Sequence, residues 1–477
     1  MSSTEQILAI FEQISAIPRG TKNEAGIRQW LIAWASSRGF SSKTDSVGNL
    51  VMHVPASPGR ENAPALILQG HMDMVCEKTP DSQHDFMRDP IRIIRNGDWL
   101  KADRTTLGAD NGIAIAIAMA LVEDESISHP PLELLFTVEE EAGISGADHI
   151  DPNLLTAKVL VNLDSEEEGV FTVGCAGGGS TYITLPVTWE PAPKDDEIFE
   201  LRVGGLQGGH SGEDINKYRG NANKILARAL DDLQGAVSIQ LSTLKGGNAR
   251  NAIPRDAEAV FICPKESTGL CREMISSFEK VLQAEFAGTE QGPYLMLANQ
   301  AAVPAMATVE DTRKIIQLVV ALPNGVAEMS AEIEGFVETS NNIGVMELLE
   351  DGFHVISNQR SSVLSRLEEL FRRTEALASL AGAKTERTKM FPPWQPNLDS
   401  PLLKKCVEVY NGLNGQKPAV KISHGGLECG TISDRCGGMD TISMGPTIRN
   451  PHSPDEMLYI PSLPSTWNFL TALLHSL

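Results

Sequence analysis

A buried strand that ends in metal-binding residues constrains this chain more than any other feature. The apolar run Ala65–Leu68 predicts a strand of a parallel sheet, followed at once by Gly70, His71 and Asp73. Polar groups at the carboxyl end of such a strand lie where open α/β sheets bind ligands. Because side chains alternate along a strand, the imidazole and the carboxylate point to the same side, where a metal ion can bind. A buried His–Asp pair without a metal is at least as common, so the triplet alone does not decide.

The pattern around this strand indicates an α/β fold. Further buried strands are predicted at Leu132–Val138 and Lys158–Leu163. The Ala-rich run after Asp110 predicts a helix that is buried against the sheet. Strands that alternate with helices in this way form a parallel or mixed sheet.

The sequence character changes after about Gly179 and returns near Pro392, which indicates one domain inserted into another. We predict a three-layer catalytic domain with a mixed, mostly parallel sheet, formed by residues 1–181 and 382–477. The inserted segment, residues 182–381, is predicted to be an α+β lid domain.

The order of elements repeats within the insertion, so the lid is compatible with a duplicated α+β unit. Its second half is predicted to contain strands Glu334–Ser340, Val345–Leu349 and His354–Asn358, and then a helix at Ser362–Leu380. Arg360 would then lie between the last strand and the helix.

The composition excludes several classes of protein. The net charge of −22 argues against nucleic acid or an anionic membrane as a partner. No stretch reaches the ~18 apolar residues of a membrane span. Seven cysteines without a C-x-x-C pair indicate reduced thiols. No basic region precedes an apolar run near the start, so we expect no signal peptide and a cytoplasmic protein.

Carboxylates and imidazoles recur at the ends of the predicted strands of the outer domain. Each has a simpler explanation by itself, such as a helix cap, a solvated acidic turn or an ordinary loop histidine. Together they would repel one another unless a cation lay among them. Two histidines with three carboxylates suit two Zn²⁺ ions bridged by one carboxylate, an arrangement used in hydrolysis. The carboxylates and imidazoles at these strand ends, from which such a ligand set would come, are His71, Asp73, Asp110, Glu140, Glu141, Asp164 and His452.

Five motifs together are far more specific than any one of them. They are Gly70-His71-Met72-Asp73, Gly108-Ala109-Asp110-Asn111-Gly112, Glu140-Glu141-Ala142-Gly143, Asn162-Leu163-Asp164 and Gly208-Gly209-His210-Ser211-Gly212. This pattern resembles the co-catalytic zinc metallopeptidases that include carboxypeptidase G2 and acetylornithine deacetylase. Four further stretches are similar to the aminoacyl-histidine dipeptidases, or Xaa-His dipeptidases, within that family. They are residues 137–143, 174–178, 248–254 and 424–430.

The resemblance implies a ligand set for two Zn²⁺ ions per chain, for which Mn²⁺ or Co²⁺ can substitute. His71 and Asp164 would hold one ion, and Glu141 and His452 would hold the other. Asp110 would bridge the two ions.

The resemblance also implies the catalytic roles. Asp73 would orient the first imidazole, and Glu140 would be the general base. The family pattern Glu-Glu-any-Gly fixes this register, because Gly143 identifies Glu140 and Glu141 as the pair. His210, in the insertion, would stabilise the tetrahedral oxyanion. In dimeric relatives this histidine reaches across the interface between subunits. If the insertion is duplicated, its second half would stand in for the partner subunit, and His210 would act within its own chain.

The substrate contacts follow from what a dipeptide presents. A free carboxylate requires an arginine fork or backbone N–H groups, for which Asn251 and Arg360 are candidates. His424 and Glu428 are predicted to lie in a glycine-rich loop of the outer domain and to line the pocket, with Glu428 as the candidate for binding the substrate's amino group.

The predicted function is a two-zinc dipeptidase that acts on Xaa-His peptides, including β-alanyl-histidine. An amidohydrolase or deacetylase of N-acyl amino acids is the alternative within the same chemistry. A non-catalytic metal-containing binding protein is the alternative outside it, although it would not need Glu140 or His210. A nucleotide-binding protein is disfavoured, since neither a G-x-G-x-x-G sequence nor a P-loop follows a strand.

Overall fold

The structure forms two compact units, which differ in sheet topology and in hydrophobic core. The computed structural model describes residues 2–79, 81–193, 196–331 and 333–477. The first unit comprises Met1–Cys175, Trp394–Ile422 and Leu427–Leu477, and the second comprises Ala176–Pro393 and Ser423–Gly426.

The first unit begins with two helices and continues as alternating strands and helices. Its elements up to residue 175 are α1 (Ser3–Ser15), α2 (Ala25–Ser37), β1 (Ser41–Thr44), β2 (Leu50–Val54), β3 (Leu66–His71), β4 (Ile93–Asn96), β5 (Trp99–Ala102), α3 (Ala109–Glu123), β6 (Leu132–Thr137), α4 (Ser145–Asp148), a 3₁₀ turn (Pro152–Leu154), β7 (Val159–Asn162) and β8 (Val170–Cys175).

The second unit combines long antiparallel strands with amphipathic helices. Its elements are β9 (Gly177–Leu185), β10 (Trp189–Pro191), β11 (Glu197–Gly204), β12 (Gly209–His210), α5 (Ala222–Gln234), β13 (Gln240–Gly246), β14 (Ala252–Ile253), β15 (Ala257–Cys263), a 3₁₀ turn (Lys265–Ser267), α6 (Thr268–Glu285), β16 (Tyr294–Asn299), β17 (Ala305–Ala307), α7 (Val309–Ala321), β18 (Gly325–Met329), β19 (Val337–Leu349), β20 (Gly352–Ser361), α8 (Leu364–Leu380) and β21 (Lys384–Arg387).

The chain then returns to the first unit and completes its sheet and helical layers. The remaining elements are α9 (Pro401–Asn414), β22 (Ala419–Ser423), α10 (Glu428–Arg435), β23 (Asp440–Ser443), β24 (Ile448–Arg449), β25 (Met457–Tyr459) and α11 (Ser462–Ser476).

The large sheet of the first unit has the order β1-β2-β6-β3-β7-β23-β8-β22. Strand β3 is parallel to β6 and β7, and β7 is parallel to β23, whereas β1–β2, β2–β6 and β8–β23 are antiparallel. The centre of the sheet is therefore parallel and its flanks are antiparallel. The carboxyl ends of β3, β6 and β7 consequently lie at one edge, where such sheets bind ligands.

Alternate residues of the central strands face two different layers. Leu66 and Leu68 belong to the core that they share with α1, α3, α9 and α11, whereas the buried Ile67 between them does not. Helices α4 and α10 contact each other outside that core. Successive residues of a strand point to opposite faces of its sheet, so burial of both sets of residues shows that the sheet is covered on each side. The predicted three-layer α/β architecture is confirmed.

The large sheet of the second unit contains one topology twice. Its order is β16-β11-β15-β13-β19-β20-β9-β21, so the halves β16-β11-β15-β13 and β21-β9-β20-β19 are arranged alike. Helices α5 and α6 lie in the first half, and α7 and α8 occupy the equivalent places in the second. The halves join where β13 pairs with β19, with Lys245 opposite Glu347. The unit thus repeats one βαββαβ arrangement, as a duplication predicts.

The unit boundaries differ from the predicted ones at 181/182 and 381/382. Strand β9 begins at Gly177, within the glycine run that marked the change of character, and β21 returns to pair with β9. Both strands belong to the second sheet, so the second unit is longer than predicted on both sides.

Two predictions about the second half of the insertion were wrong. Residues 334–340 and 345–349 were predicted as separate strands, but Val337–Leu349 is continuous, with a shift of pairing between Ile343 and Val345. The glycine between them marks a bulge and not a break. Strand β20 also extends to Ser361, so Arg360 lies inside a strand and not beyond its end.

Candidate metal centre

Ends of parallel strands bring the predicted ligands of the first unit to one sheet edge. His71 is the last residue of β3, Glu140 and Glu141 follow β6, and Asp164 follows β7. Asp110 lies at the start of α3, and His452 lies in the loop between β24 and β25.

Two pairs of side chains converge on the carboxylate of Asp110. His71 Nε2 lies 3.0 Å from Asp110 Oδ1 and 3.5 Å from Asp164 Oδ1. His452 Nε2 lies 3.0 Å from Asp110 Oδ2 and 3.1 Å from Glu141 Oε2. Each oxygen of Asp110 therefore faces a different imidazole, and each imidazole also approaches a second carboxylate. A bridging ligand requires such an arrangement.

The donor atoms suit a divalent cation. Ligand atoms of His71, Asp110 and Glu141 lie within 4.8 Å of one another. Glu141 Oε1 is buried and has no hydrogen-bond partner among the described residues. A buried carboxylate oxygen without a partner is costly, and a metal ion would satisfy it. Imidazole nitrogens and carboxylate oxygens are ligands that Zn²⁺ accepts.

The titration of these groups shows how much negative charge the site concentrates. Burial disfavours the charged form of His71, but the charge of Asp164 and the hydrogen bond to Asp110 raise its pKa well above the usual value. Burial also opposes a charged His452, yet its hydrogen bonds to Asp110 and Glu141 raise its pKa to about 12. Burial raises the pKa of Glu141 and of Asp164. The surrounding carboxylates thus favour positive charge at the imidazoles, which is the charge that a metal ion would bring to this site.

Asp73 orients both a ligand and the turn that carries the two glutamates. Its Oδ1 lies 3.3 Å from His71 Nδ1, whose nearest acceptor is the Asp73 carbonyl oxygen at 3.1 Å. Oδ1 accepts the N–H of Glu140 at 3.0 Å, and Oδ2 accepts the N–H of Glu141 at 3.2 Å. Thr21 Oγ1 donates to the same Oδ2 at 2.9 Å. Asp73 therefore aims the His71 Nε2 atom at the site and holds the glutamate turn beside it.

Glu140 differs from its neighbour in electrostatic environment. Burial raises its pKa well above the usual value; the charge of His71 lowers it, and the charges of Glu141 and Asp164 raise it further. A carboxyl group in such surroundings has a high affinity for a proton, which a general base needs near neutral pH.

Glu428 was predicted to lie in a loop, but it is the first residue of α10. It is fully buried, and its Oε2 accepts hydrogen bonds from Gln69 Nε2 and Thr137 Oγ1, both at 2.6 Å. Burial raises its pKa to about 8. Its second oxygen has no partner in the described part of the chain. Glycines before α10 gave the appearance of a loop in the sequence.

The second unit contains His210 and Asn251 in neighbouring segments. His210 pairs with Ala252 in the short β12–β14 ladder, and Ser211 N–H donates to the carbonyl oxygen of Asn251 at 2.8 Å. The N–H of Glu213 donates to His210 Nδ1 at 3.2 Å. Because Nδ1 accepts this hydrogen bond, the neutral imidazole carries its proton on Nε2.

His424 and Arg360 also lie in the second unit. His424 was predicted in the outer domain, but Ser423–Gly426 belongs to the second unit. His424 Nε2 hydrogen-bonds Ser340 Oγ at 2.7 Å, and Ser340 lies opposite Arg360 in the sheet. Burial, followed by the charges of Arg360 and His210, lowers the pKa of His424 to about 3. His424 is therefore neutral, with Arg360 and His210 close to it.

Two buried charged residues near the candidate ligands were not predicted. Arg19 follows α1, and Glu456 lies four residues beyond His452; each is 2 % exposed. The sequence does not indicate that either residue is buried, because a lone arginine or glutamate in a loop is usually solvated.

Comparison with known proteins identifies the family. A model described as "Peptidase dimerisation domain" matches residues 202–290, within the second unit. The cytosol non-specific dipeptidase of Escherichia coli is 39% identical over 472 residues, which cover 99% of this chain and 97% of that protein. The chain belongs to the M20 dipeptidase family. The resemblance predicted from the motifs is confirmed.

Solved structures agree with this M20 assignment. The aminoacylhistidine dipeptidase of Vibrio alginolyticus is 37% identical, with a TM-score of 0.83, over 99% of this chain and 96% of that one. Human carnosine dipeptidase 1 is 12% identical, with a TM-score of 0.53 over 99% and 95% of the two chains, and shows the fold alone. Among the described residues, no helix has the length and apolar character to cross a bilayer.

Proposed function

We propose that this M20 family member is a two-metal dipeptidase that hydrolyses Xaa-His peptides, including β-alanyl-histidine. The observation that carries the proposal is the position of Asp110 between two imidazole–carboxylate pairs. The relatives named as non-specific and as aminoacylhistidine dipeptidases support the substrate class.

The proposed ligands are those that surround Asp110. His71 and Asp164 would hold one Zn²⁺ ion, Glu141 and His452 would hold the second, and Asp110 would be the ligand shared by both; Mn²⁺ or Co²⁺ would be able to substitute. When bound, two such ions polarise a carbonyl oxygen and lower the pKa of water.

Glu140 is proposed to move the proton of the reaction. Its backbone is held by Asp73, so its carboxylate can change protonation state without a change in the turn. Glu140 takes a proton from the attacking water and passes it to the leaving amine nitrogen. Asp73 keeps the imidazole of His71 in one orientation throughout.

His210 is proposed as a donor to the tetrahedral oxyanion. The hydrogen bond from Glu213 N–H leaves the proton of the neutral ring on Nε2, the form that this role requires. Because the second unit repeats its βαββαβ arrangement, we propose that His210 acts within its own chain.

The substrate contacts are proposed from the chemistry of a dipeptide. Arg360, with Asn251 and the neutral His424, suits the carboxylate of the peptide. Glu428 is proposed to bind the amino group of the peptide through Oε1, because its Oε2 already accepts hydrogen bonds from Gln69 and Thr137. The match to a dimerisation domain supports a homodimer, and the cytosolic relative supports a cytoplasmic location.

The decisive experiment is a substrate panel combined with metal analysis. The purified protein is assayed on β-alanyl-histidine, other Xaa-His dipeptides, unrelated dipeptides and N-acetyl amino acids, and its metal content is measured. Hydrolysis of dipeptides by protein with two ions per chain, abolished by a chelator and restored by Zn²⁺, is expected. Preference for N-acetyl amino acids would favour the amidohydrolase. Absence of hydrolysis from the whole panel in fully metallated protein would favour a binding protein.

A further inference from the structure

Arg19 ties the end of strand β3 to the segment that carries Asp110. Its Nη1 donates to the carbonyl oxygens of Met72 at 3.0 Å and of Asp73 at 2.9 Å. Its Nη2 donates to the carbonyl oxygen of Gly108. One buried guanidinium thus joins the residues that follow His71 to the residues that precede α3.

Glu456 ties the same segment to the loop that carries His452. Its Oε2 accepts the N–H groups of Leu107 at 2.7 Å and Gly108 at 2.9 Å, and its Oε1 accepts that of Asp110 at 3.2 Å. Glu456 and His452 share the loop between β24 and β25. One carboxylate therefore accepts hydrogen bonds from three backbone N–H groups of the segment that carries the candidate bridging ligand.

We propose that Arg19 and Glu456 are positioning residues for the bridging carboxylate of Asp110. The inference rests on the two-metal site proposed above. Asp110 must present one oxygen to each ion, and its backbone is held towards His71 by Arg19 and towards His452 by Glu456. The two buried charges set the separation of the two halves of the site without contacting an ion themselves.

The residue types at these positions are required by their hydrogen bonds. Three N–H donors converge on both oxygens of Glu456, and glutamine would replace one acceptor oxygen by a donor. Three carbonyl oxygens surround Arg19, whose planar fork reaches further than an ammonium group. Gly108 has a φ of 70°, and an added Cβ would lie 2.6 Å from Arg19 Nη2. Only glycine allows the guanidinium to approach this closely.

The proposal predicts different effects on the two ions. Glu456→Gln should mainly weaken the ion held by Glu141 and His452, because it loosens the His452 loop from the Asp110 segment. Arg19→Lys should mainly weaken the ion held by His71 and Asp164. The expected loss is about 10- to 100-fold in metal affinity, as for other residues that orient metal ligands.

The test measures metal affinity and fold stability separately. Metal-free wild type, Glu456→Gln and Arg19→Lys are titrated with Zn²⁺ in competition with a chromophoric chelator, which gives both dissociation constants. Thermal unfolding of the same metal-free proteins reports stability alone.

Glu133 provides a matched control. It is 3 % exposed and accepts the N–H groups of Thr156 at 2.9 Å and Ala157 at 3.2 Å. Glu133→Gln therefore makes the same chemical change in the same unit, in β6 rather than at a ligand-bearing loop. It should lower thermal stability and leave both Zn²⁺ dissociation constants unchanged.

The outcomes separate this inference from the proposed function. If both variants lose stability as the control does and keep both dissociation constants within about twofold of the wild type, the positioning role is refuted. If the wild type does not bind two Zn²⁺ ions, the two-metal proposal itself fails. Should either charged-residue variant not fold, Gly108→Ala perturbs the same segment without removing a buried charge. An unchanged Zn²⁺ affinity in that variant would also overturn the inference.

Discussion

Replacing Glu140 and Glu141 one at a time by glutamine should separate a proton-transfer group from a metal ligand. The two residues share one turn, and both backbone N–H groups are bound by Asp73. Glutamine has nearly the same shape as glutamate, so each substitution removes a charge without displacing the turn. The neighbours should nevertheless respond in opposite ways, because Glu141 lies 3.1 Å from His452 Nε2, as a shared ligand of one ion would, and Glu140 is assigned to proton transfer.

Glu140→Gln should keep both ions and bind substrate almost normally, while kcat falls by ~10²–10⁴, the usual contribution of a general acid–base group. At about 1.4 kcal/mol per factor of ten, this loss corresponds to roughly 3–5 kcal/mol of barrier. Burial raises the pKa of Glu140 well above the usual value, so an ionised carboxylate is disfavoured in the metal-free fold. Removal of that charge should therefore not lower the stability of the metal-free protein.

Glu141→Gln should lose or weaken one ion. One oxygen of Glu141 lies 3.1 Å from His452 Nε2, and the other is buried without a partner among the described residues. Loss of an anionic ligand should weaken the ion that Glu141 and His452 hold by about 10-fold or more. Added Zn²⁺ should then restore part of the activity of Glu141→Gln but none of that of Glu140→Gln.

The assay combines metal analysis with steady-state hydrolysis of β-alanyl-histidine. Glu139→Gln is the matched control in the same run of glutamates, and it should retain both metal and activity. If Glu140→Gln lost metal and Glu141→Gln kept both ions, the assignment would be wrong by one residue. Full activity in both variants would refute the two-metal hydrolase itself.

Three further predictions concern stability. Gly70→Ala should lower the midpoint of thermal unfolding by calorimetry, because an added Cβ would lie 2.4 Å from Asn111 Oδ1; such overpacking costs about 1–3 kcal/mol. Lys224→Met should lower the free energy of unfolding in urea by about 1–3 kcal/mol, because Nζ donates to three carbonyl oxygens at the end of α7 at 2.7–2.9 Å. Burial lowers the pKa of Lys224 from 10.5 to about 8, so between pH 8 and pH 10.5 the unfolded state binds more protons than the folded state. The free energy of unfolding of the wild type should therefore rise with pH in this range, and that of Lys224→Met should not. Burial and the charge of Arg360 lower the pKa of His424 from 6.5 to about 3, so the unfolded state binds more protons between these pH values. Wild-type stability should therefore fall as the pH drops from 6.5 to 3. Urea titrations at successive pH values should show a smaller fall for His424→Gln.

Much of the first unit was predictable because its local signals agree with its tertiary structure. Strands were predicted at Leu132–Val138 and Lys158–Leu163, and β6 and β7 lie there, since each apolar run ends where acidic residues begin. The apolar runs before His71 and Asp164 predicted strands that are buried on both faces. Such strands have few alternatives, and parallel pairing then brings their carboxyl ends together.

The second unit was less predictable because part of its interior is polar. Strand β20 ends in the buried run Ser357–Ser361, where side chains bond one another; Gln359 Nε2, for example, donates to Asn341 Oδ1 at 2.8 Å. In the sequence this run resembles a solvated turn before a helix. Partners from distant segments make its burial favourable, and no local pattern identifies them.

The sequence by itself determined which residue types the candidate centre contains, because two imidazoles and three carboxylates at strand ends have few other uses. Only the tertiary structure decided that each oxygen of Asp110 faces a different imidazole. It also decided that Arg19 and Glu456 hold the intervening backbone, since hydrogen bonds to main-chain atoms leave no motif in the sequence. A periodic pattern records burial and secondary structure, whereas the partner of a lone buried charge depends on how distant segments pack.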